Sequence, residues 1–130
     1  MTETRSVFFD IPQEQHLVRG EHFFVVKDGF PVSPGHCLII SRVPRTDYFE
    51  LSESERRELT ELIHRVRVCI EKEHSPDGYN IGMNCGRPAG QTVMHFHCHV
   101  IPRYDGDMTN AAGGVRHCVT GKGPYDLHQE

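Results

Sequence analysis

Three histidines alternate with apolar residues in one short segment of the chain. They are His95, His97 and His99, and Phe96 and Cys98 separate them. In an extended strand, residues two apart share a face, so the pattern predicts a row of imidazoles on one face and a core on the other. Imidazole nitrogens need hydrogen-bond partners, and aliphatic side chains would pack better. This histidine ladder therefore indicates chemistry rather than packing.

Two kinds of chemistry fit the ladder. An imidazole with a pKa of about 6.5 is partly neutral at pH 7, and one ring nitrogen can attack phosphorus when a hydrogen bond holds the other. Imidazoles also bind zinc at about 2.0 to 2.1 Å. The outer histidines of an extended ladder lie about 13 Å apart, so a metal would need two of them and a remote ligand such as His36. We favour the nucleophile and keep the metal site as the alternative.

A third alternative is an exposed strand face in a structural protein. A lone histidine would favour it, but three in register beside Gly90, Gln91 and Thr92 do not.

The clearest local signal around the ladder is a helix. Ser52 and Glu55 form the S-x-x-E pattern of a capping box, and apolar residues then recur at helical spacing until the Ser-Pro-Asp-Gly segment at 75–78. Alternating or β-branched segments predict five strands, over residues 15–18, 22–27, 36–41, 79–84 and 94–101. A loop rich in Gly and Pro at 28–35 predicts an antiparallel pair. The expected fold class is α+β, a mainly antiparallel sheet of about five strands with one long helix packed on it.

Length and charge limit the classes of function. The 130 residues predict a single domain over 1–130, with a core at about 6–104 and an extended, partly disordered C-terminal tail at 105–130. The net charge of -4 argues against nucleic acid and membrane surfaces as partners. No apolar run approaches the roughly 20 residues of a membrane span, and the N-terminus lacks a signal peptide's apolar stretch. Five cysteines without a C-x-x-C motif indicate buried thiols in a cytoplasmic protein.

The ladder also resembles a known family. The segment HFHCHVI at 95–101 matches the H-φ-H-φ-H-φ-φ signature of the histidine triad (HIT) superfamily. Gly-Gln-Thr-Val at 90–93 and Pro-Arg at 102–103 flank it as in the fragile-histidine-triad-like branch. Ser-Pro-Gly-His at 33–36 and the amides Asn80 and Asn84 extend the resemblance. The resemblance implies a HIT-like fold. It also implies a homodimer, because the family's members usually are homodimers.

The function implied by this resemblance is hydrolysis of dinucleoside polyphosphates, such as diadenosine tri- or tetraphosphate, with release of AMP. His97 would attack the α-phosphate and become transiently nucleotidylated, and His99 would donate to the leaving group. His95 and His36 would orient and polarise the site. No metal would be obligatory, although Mg²⁺ could accompany the substrate as a counter-ion. The alternatives are an adenosine 5'-phosphoramidase or AMP-conjugate hydrolase, or a non-catalytic nucleotide- or metal-binding HIT module.

Further residues resemble the family's substrate contacts. The phosphate contacts would come from the Gly90 backbone and the side chains of Gln91, Thr92 and Asn84. Asp28 would hold the ribose hydroxyls, and Arg103 would meet distal phosphates. An apolar pocket for the base, with adenine nucleotides the expected substrates, would come from Val7, Phe8 and Ile11.

Some of these residues have ordinary structural interpretations as well. Asn84 could end a strand, Asp28 could sit in the hairpin turn, and Phe8 could anchor the N-terminus to the core.

Two departures from the family pattern bear on the expected metal content and on the expected class of reaction. Bacterial relatives often open with a C-x-x-C segment that helps to bind a structural zinc, whereas residues 6–9 here are Ser-Val-Phe-Phe, so we do not expect that zinc. The third ladder residue is His99 rather than Gln, which favours hydrolases over nucleotidyl transferases.

Overall fold

One antiparallel sheet carries a single long helix on one of its faces. The computed structural model describes residues 6–120 and 122–123. Its five strands are β1 (Val18–Arg19), β2 (Phe23–Lys27), β3 (Cys37–Ser41), β4 (Gly78–Gly82) and β5 (His97–Arg103), and the helix α1 spans Glu53–Glu71. The strands run in the spatial order β1-β2-β3-β5-β4. The α+β fold class predicted from the sequence is confirmed.

Helix α1 begins at the predicted capping box. The Ser52 hydroxyl accepts from the Glu55 N–H at 3.2 Å, and the Glu55 carboxylate accepts from the Ser52 N–H at 2.7 Å. The helix then buries one stripe against the sheet, and this stripe consists of Leu59, Leu62, Val66 and Ile70. Its partners include Val25, Ile39 and Cys98 on the facing side of the sheet. This packing leaves the opposite face of the sheet free for the site.

The face of the sheet away from α1 carries the ladder strand beside an apolar patch. On β3, Ile40 pairs with His97 and Leu38 pairs with His99. Because side chains of directly paired residues share a face, these two histidines lie next to buried aliphatic side chains. Strand β2 completes the apolar patch, which consists of Phe24, Val26, Leu38 and Ile40. The N-terminal segment covers part of the patch, because Phe8 and Ile11 pack on these residues.

Two predicted strands differ from the structure. Residues Gln13–Gln15 form a 3₁₀ turn, so the first strand is only the pair Val18–Arg19. The ladder strand begins at His97 rather than at residue 94, because the chain bends over residues 93–95. The Phe96 N–H donates to the Arg45 carbonyl at 2.6 Å, outside the sheet ladder. The prediction that all three ladder histidines share a strand is therefore wrong for His95.

The tail is folded where the structure describes it. Residues Gly114–Cys118 form a 3₁₀ helix instead of the expected extended chain. A Cβ atom on Gly114 would lie 3.3 Å from the Asn80 amide nitrogen, so this helix approaches β4. The rest of the tail prediction, at residue 121 and residues 124–130, lies outside the described residues. No helix in the described part is long and apolar enough to cross a membrane.

All five cysteines are free thiols, but they are not uniformly buried. Cys37 and Cys98 are buried in the core, whereas Cys118 on the tail is exposed.

Candidate active site

His97, the first residue of β5, presents one ring nitrogen that no described residue occupies. Its Nδ1 atom lies 2.8 Å from the carbonyl oxygen of His95. A carbonyl oxygen only accepts, so Nδ1 carries the proton in the neutral ring and Nε2 keeps its lone pair. The Phe8 ring meets the imidazole edge-on, with centroids 4.9 Å apart. The His97 ring is thus held in the tautomer that a nucleophile needs.

His36 and His99 form a directed pair of imidazoles. The Val32 N–H donates to Nδ1 of His36 at 3.2 Å, so the proton of the neutral His36 ring is on Nε2. That Nε2 lies 2.9 Å from Nδ1 of His99, which must then accept. The remaining proton of His99 is placed on its own Nε2. A backbone amide therefore fixes, through two rings, a hydrogen-bond donor on His99.

Burial keeps these imidazoles neutral. Desolvation lowers the pKa of His99 to about 4, with further lowering from His97 and His36 and an opposing contribution from Asp28. Desolvation also lowers the pKa of His36, again against Asp28. Both rings are neutral at pH 7, as the assignment of one proton to each ring requires.

Asp28 performs the expected turn role and also faces the histidine pair. One carboxylate oxygen accepts from the Phe30 N–H at 2.8 Å, which closes the turn after β2. The other lies 3.3 Å from Nε2 of His36 and 3.9 Å from Nδ1 of His99. The side chain is 14% exposed. The two interpretations of Asp28, turn residue and site residue, are therefore compatible.

His95 lies beneath the site rather than on its surface. Its Nε2 donates to the Ser41 carbonyl at 2.7 Å, which leaves Nδ1 to accept from the Ser6 hydroxyl at 2.7 Å. Burial is the main cause of its lowered pKa. The ring ties the N-terminal segment to β3, and the backbone carbonyl of the same residue orients His97.

Gln91 holds the loop before the ladder, and its contact with phosphate stays a prediction. Its Nε2 donates to the carbonyl oxygens of Thr46 and Val93 at 2.6 and 3.1 Å, and its Oε1 accepts from the Gly86 N–H at 2.8 Å. Both N–H groups of the amide are thereby used, and the side chain is buried. The amide cannot also donate to a substrate while the loop keeps this conformation.

The neighbours of Gln91 are placed differently. Gly90 has φ of +95° at the end of a short 3₁₀ turn, a conformation that favours glycine. A Cβ atom there would meet nothing within 4 Å, so backbone conformation rather than space explains this glycine. Thr92 is exposed, and no described residue hydrogen-bonds its hydroxyl. Of the two side chains expected at phosphate in this loop, only that of Thr92 remains available.

A cavity of about 740 Å³ opens beside the histidine pair. His36 and His99 line it on one side, and Asn84 and Gly90 line it together with the end of β4. Asn84 is exposed, and its amide has no hydrogen-bond partner among the described residues. The cavity therefore brings four of the predicted site residues together.

The predicted base pocket is only partly formed. Phe8 and Ile11 line a cavity of about 230 Å³ on the β2 side of the ladder. Val7 does not line it and is 61% exposed. The same cavity includes His16, whose ring stacks on Phe24 with centroids 4.3 Å apart.

Arg103 is bound within the protein, and its role at distal phosphates stays a prediction. Its guanidinium meets both carboxylate oxygens of Asp107, at 2.9 and 2.7 Å, and donates to Asn80 at 2.6 Å. The ion pair lowers the pKa of Asp107 to about 2. Arg103 does not line the cavity that contains His99. Its fork of donors fastens the start of the tail to β4.

A metal ion could be held at this site by Asp28, His36 and His99, because their donor atoms lie within 4.8 Å of one another. Asp28 supplies the carboxylate of this group. A metal on His36 would need a lone pair on Nε2, whereas the Val32 N–H fixes a proton there. The hydrogen bonds of the described residues therefore fit a proton relay better than a metal.

Three residues that contribute to the site were not predicted from the sequence. Val32 fixes the His36 tautomer through its backbone, which no side-chain pattern reveals. Val115 and Val119 line the large cavity from the tail. The four-residue spacing of these two valines is the one sequence feature that could have indicated a shared face. The surrounding glycines instead favoured an extended tail.

The sheet, the helix and the histidine ladder define an α+β domain whose imidazoles border a cavity of about 740 Å³. The HIT domain family matches residues 12–106 of this chain. The chain belongs to the HIT family.

Several members of the family are similar to this chain. An uncharacterized HIT-like protein of Methanocaldococcus jannaschii is 43% identical over 89 residues, which cover 67% of each chain. The asymmetrical bis(5'-nucleosyl)-tetraphosphatase of Schizosaccharomyces pombe is 42% identical over 81 residues, 61% of this chain and 43% of that enzyme. The structure of a zinc-bound histidine triad family protein from Mycobacterium smegmatis is 30% identical with a TM-score of 0.69, over 80% of this chain and 75% of that one. The match therefore spans less than half of the tetraphosphatase.

Proposed function

We propose that this protein hydrolyses nucleotides at the α-phosphate through a nucleotidyl intermediate on His97. The observation that carries the proposal is the hydrogen bond from Nδ1 of His97 to the His95 carbonyl at 2.8 Å. It leaves a lone pair on Nε2 at the ladder face, and it stabilises the positive charge that the ring gains as it attacks.

In the first step, Nε2 of His97 attacks the α-phosphorus and the bond from phosphorus to the leaving group breaks. The electron pair of that bond goes to the leaving atom, which accepts a hydrogen bond from Nε2 of His99 and gains its proton from solvent. His36 holds His99 in the tautomer that donates, because Nε2 of His36 donates to Nδ1 of His99. Such a positioned donor contributes roughly 10²- to 10³-fold to a rate.

In the second step, water attacks the same phosphorus from the side that the leaving group vacated. The attacking water releases its proton to solvent, the bond between phosphorus and His97 breaks, and the nucleoside monophosphate departs. The sum is one water consumed and one bond to the α-phosphate cleaved. Thr92 and Asn84 are the side chains we assign to the phosphate oxygens, since both are exposed and have free donors. The Gly90 backbone stays a prediction from the family resemblance, and its N–H donates to the Arg87 carbonyl at 2.9 Å.

We propose that no metal is obligatory in either step, with Mg²⁺ entering only as a counter-ion of the substrate. Neutral imidazoles and amides donate where negative charge develops, which supports this scheme. The adenine base would lie on the Phe8 and Ile11 side, and Asp28 would accept from the ribose hydroxyls. We also propose a homodimer, as expected from the family resemblance.

Two substrate classes are candidates. Dinucleoside polyphosphates are the first, supported by the similarity to a bis(5'-nucleosyl)-tetraphosphatase. Adenosine 5'-phosphoramidates and related AMP conjugates are the second. A specific observation favours the second class: no lysine or arginine is among the described residues that line the cavity beside His99.

The experiment is product analysis by chromatography with diadenosine polyphosphates and an adenosine phosphoramidate, each with Mg²⁺ and with chelator. The wild type should release AMP, and His97→Ala should release none while it keeps the fold and nucleotide binding. Equal activity in the wild type and in His97→Ala would exclude this mechanism. One tightly held zinc per chain that is lost in His97→Ala would favour the metal-binding module instead.

A further inference from the structure

The direction of the histidine pair depends on one backbone amide in a loop. The Val32 N–H donates to Nδ1 of His36 from the loop at 28–36, between β2 and β3. The Val32 side chain is 73% exposed, so its own packing does little to hold the amide in place. Connecting loops are usually the more mobile parts of a fold. The amide can therefore direct His36 only if other residues fix this loop.

Two side-chain hydrogen bonds fasten the loop to the end of β5. The Tyr104 hydroxyl donates to the Pro34 carbonyl at 2.6 Å, and the Ser33 hydroxyl donates to the Pro102 carbonyl at 2.6 Å. One bond runs from the strand end to the loop, and the other runs from the loop to the strand. The loop residues in these bonds are the two that directly follow Val32. A shift of the loop away from β5 would break both bonds.

Close packing supports the same attachment. The φ angle of Gly35 is +92°, and a Cβ atom there would lie 3.0 Å from a ring carbon of His74 and 3.3 Å from Pro102. A side chain at this position would push the loop away from β5. The His36 N–H donates to the Ser33 carbonyl at 3.2 Å, which closes the turn. His36 is therefore tied to the same segment that attaches to β5.

Strand β5 is the common support of the loop and of His99. His99 lies within β5, and Tyr104 directly follows its last residue. If the loop moved relative to this strand, the Val32 amide would lose Nδ1 of His36, and the His36 proton could move to Nδ1. Nε2 of His36 would then accept from His99, so the single proton of the neutral His99 ring would lie on Nδ1 and not on Nε2. The donor that His99 presents to the leaving group would be lost.

We propose that Tyr104 and Ser33 are positioning residues for the hydrogen bond from His99 to the leaving group, a role that rests on the proposed function. Neither residue lines the cavity that contains His99, and both act through the Val32 amide and the His36 ring. Their substitution weakens the donor without removing a group that touches substrate. The effect therefore falls on kcat for substrates with poor leaving groups and leaves KM nearly unchanged.

The spectroscopic test uses nitrogen NMR of isotope-labelled histidine rings at pH 7, because the shifts of the ring nitrogens report which of them carries the proton. The wild type should hold His99 in one tautomer, with the proton on Nε2. Tyr104→Phe and Ser33→Ala should each shift part of His99 towards the tautomer with the proton on Nδ1. The His99 signals are identified by their absence from the spectrum of His99→Asn. This measurement needs no substrate.

The kinetic test compares two conjugates of AMP, the unsubstituted phosphoramidate with a poor leaving group and an aryl ester with a good one. We expect Tyr104→Phe to lower kcat about tenfold on the phosphoramidate, a part of the roughly 10²- to 10³-fold that a positioned donor contributes. The kcat on the aryl ester should change little, because its leaving group needs no donor. Ser33→Ala should behave in the same way, and Ser33→Thr, which keeps a hydroxyl, should recover the loss.

The matched control is Tyr79→Phe. It also removes a tyrosine hydroxyl bond, from Tyr79 to Glu71 at 2.8 Å, but this bond joins β4 to α1 and not the loop to β5. It should change neither the tautomer of His99 nor the ratio of the two kcat values. Thermal unfolding of every variant checks that the fold is kept.

The outcomes separate this proposal from the proposed function. If folded Tyr104→Phe and Ser33→Ala keep the wild-type tautomer of His99, the proposal is overturned while the hydrolase remains. Equal changes of kcat on the two substrates, or no change on either, overturn it as well, because the two residues then act only through the fold. A wild type that cleaves neither substrate overturns the proposed function, and this role with it.

Discussion

Nε2 of His36 lies 2.9 Å from Nδ1 of His99. Because the Val32 amide donates to the far side of the His36 ring, this contact has a direction, from His36 to His99. The proton that His99 presents to a leaving group is therefore determined by a backbone amide on the loop between β2 and β3. The pair explains how a neutral histidine with a pKa of about 4 can still act as a donor at pH 7.

Substitution of His36 tests this direction. His36→Ala removes the donor to His99 Nδ1, so His99 can take either tautomer and no longer always presents an N–H to the leaving group. We expect kcat to fall by about 100-fold on substrates with poor leaving groups, the value of a positioned donor. The fall should be smaller on a substrate with an aryl oxide leaving group, which needs no proton.

The control for this substitution is His36→Gln. Its amide nitrogen can replace Nε2 as a donor, so it should recover part of the lost kcat. Equal losses on good and poor leaving groups, or no recovery with Gln, would mean that His36 acts only through the fold.

The lowered pKa of His99 predicts a loss of stability in acid. The folded state holds the ring neutral down to a pH of about 4, whereas the unfolded chain takes up a proton near pH 6.5. The free energy of unfolding that neutral His99 contributes is fully present above pH 6.5 and is lost as the pH falls towards 4. The loss between pH 6.5 and 5 is on the order of 2 kcal/mol, less some screening by solvent. His36 and His95 act in the same direction.

Urea unfolding at pH 7 and pH 5 measures this effect. His99→Asn keeps an acceptor for His36 and removes the titrating group, so its free energy of unfolding should fall less between the two pH values than that of the wild type. An equal fall in both proteins would show that His99 is not responsible.

Substitution of Gln91 should affect mainly the stability of the protein, whereas substitution of Thr92 should affect mainly substrate binding. Gln91→Ala leaves the Gly86 N–H and the Thr46 carbonyl without their partner and should cost about 1 to 3 kcal/mol of unfolding free energy. Thr92→Ala should leave stability nearly unchanged and lower kcat/KM, because its exposed hydroxyl is one of the donors we assign to phosphate. Chemical denaturation and steady-state kinetics on both variants check this. Loss of activity in Gln91→Ala at full stability would restore Gln91 as a direct phosphate contact.

The ion pair of Arg103 gives a prediction about the tail. Arg103→Gln and Asp107→Asn each break the bidentate pair, so both should lower the melting temperature. Neither should change KM for diadenosine tetraphosphate by more than about twofold, as expected for substitutions away from substrate. A large increase in KM in Arg103→Gln alone would show that this arginine does meet distal phosphates.

The fold was predictable where signals are local. The capping box of Ser52 and Glu55 and the apolar stripe of α1 lie within one segment, and the loop between β2 and β3 contains its own turn residues. The alternation at 97–100 also predicted correctly which side chains enter the core. Each of these patterns depends on neighbours a few residues apart.

The site was less predictable because its contacts span long separations. His95 leaves the strand since its ring bonds Ser6 and Ser41, which lie 89 and 54 residues away in the chain. Gln91 reaches Thr46, 45 residues away, and this use of its amide left no trace in the flanking sequence. Arg103 donates to Asn80, 23 residues away, and nothing near position 103 indicates this contact.

The most direct test of the account is to trap the covalent intermediate. A conjugate of AMP is mixed with stoichiometric protein, the reaction is stopped with denaturant within milliseconds to seconds, and the peptides are analysed by mass spectrometry at neutral to alkaline pH. The account predicts a nucleoside monophosphate attached to His97 that appears and decays at rates consistent with turnover, and no adduct in His97→Ala. Turnover without any adduct on His97, or an adduct on another residue that supports full activity, would contradict it.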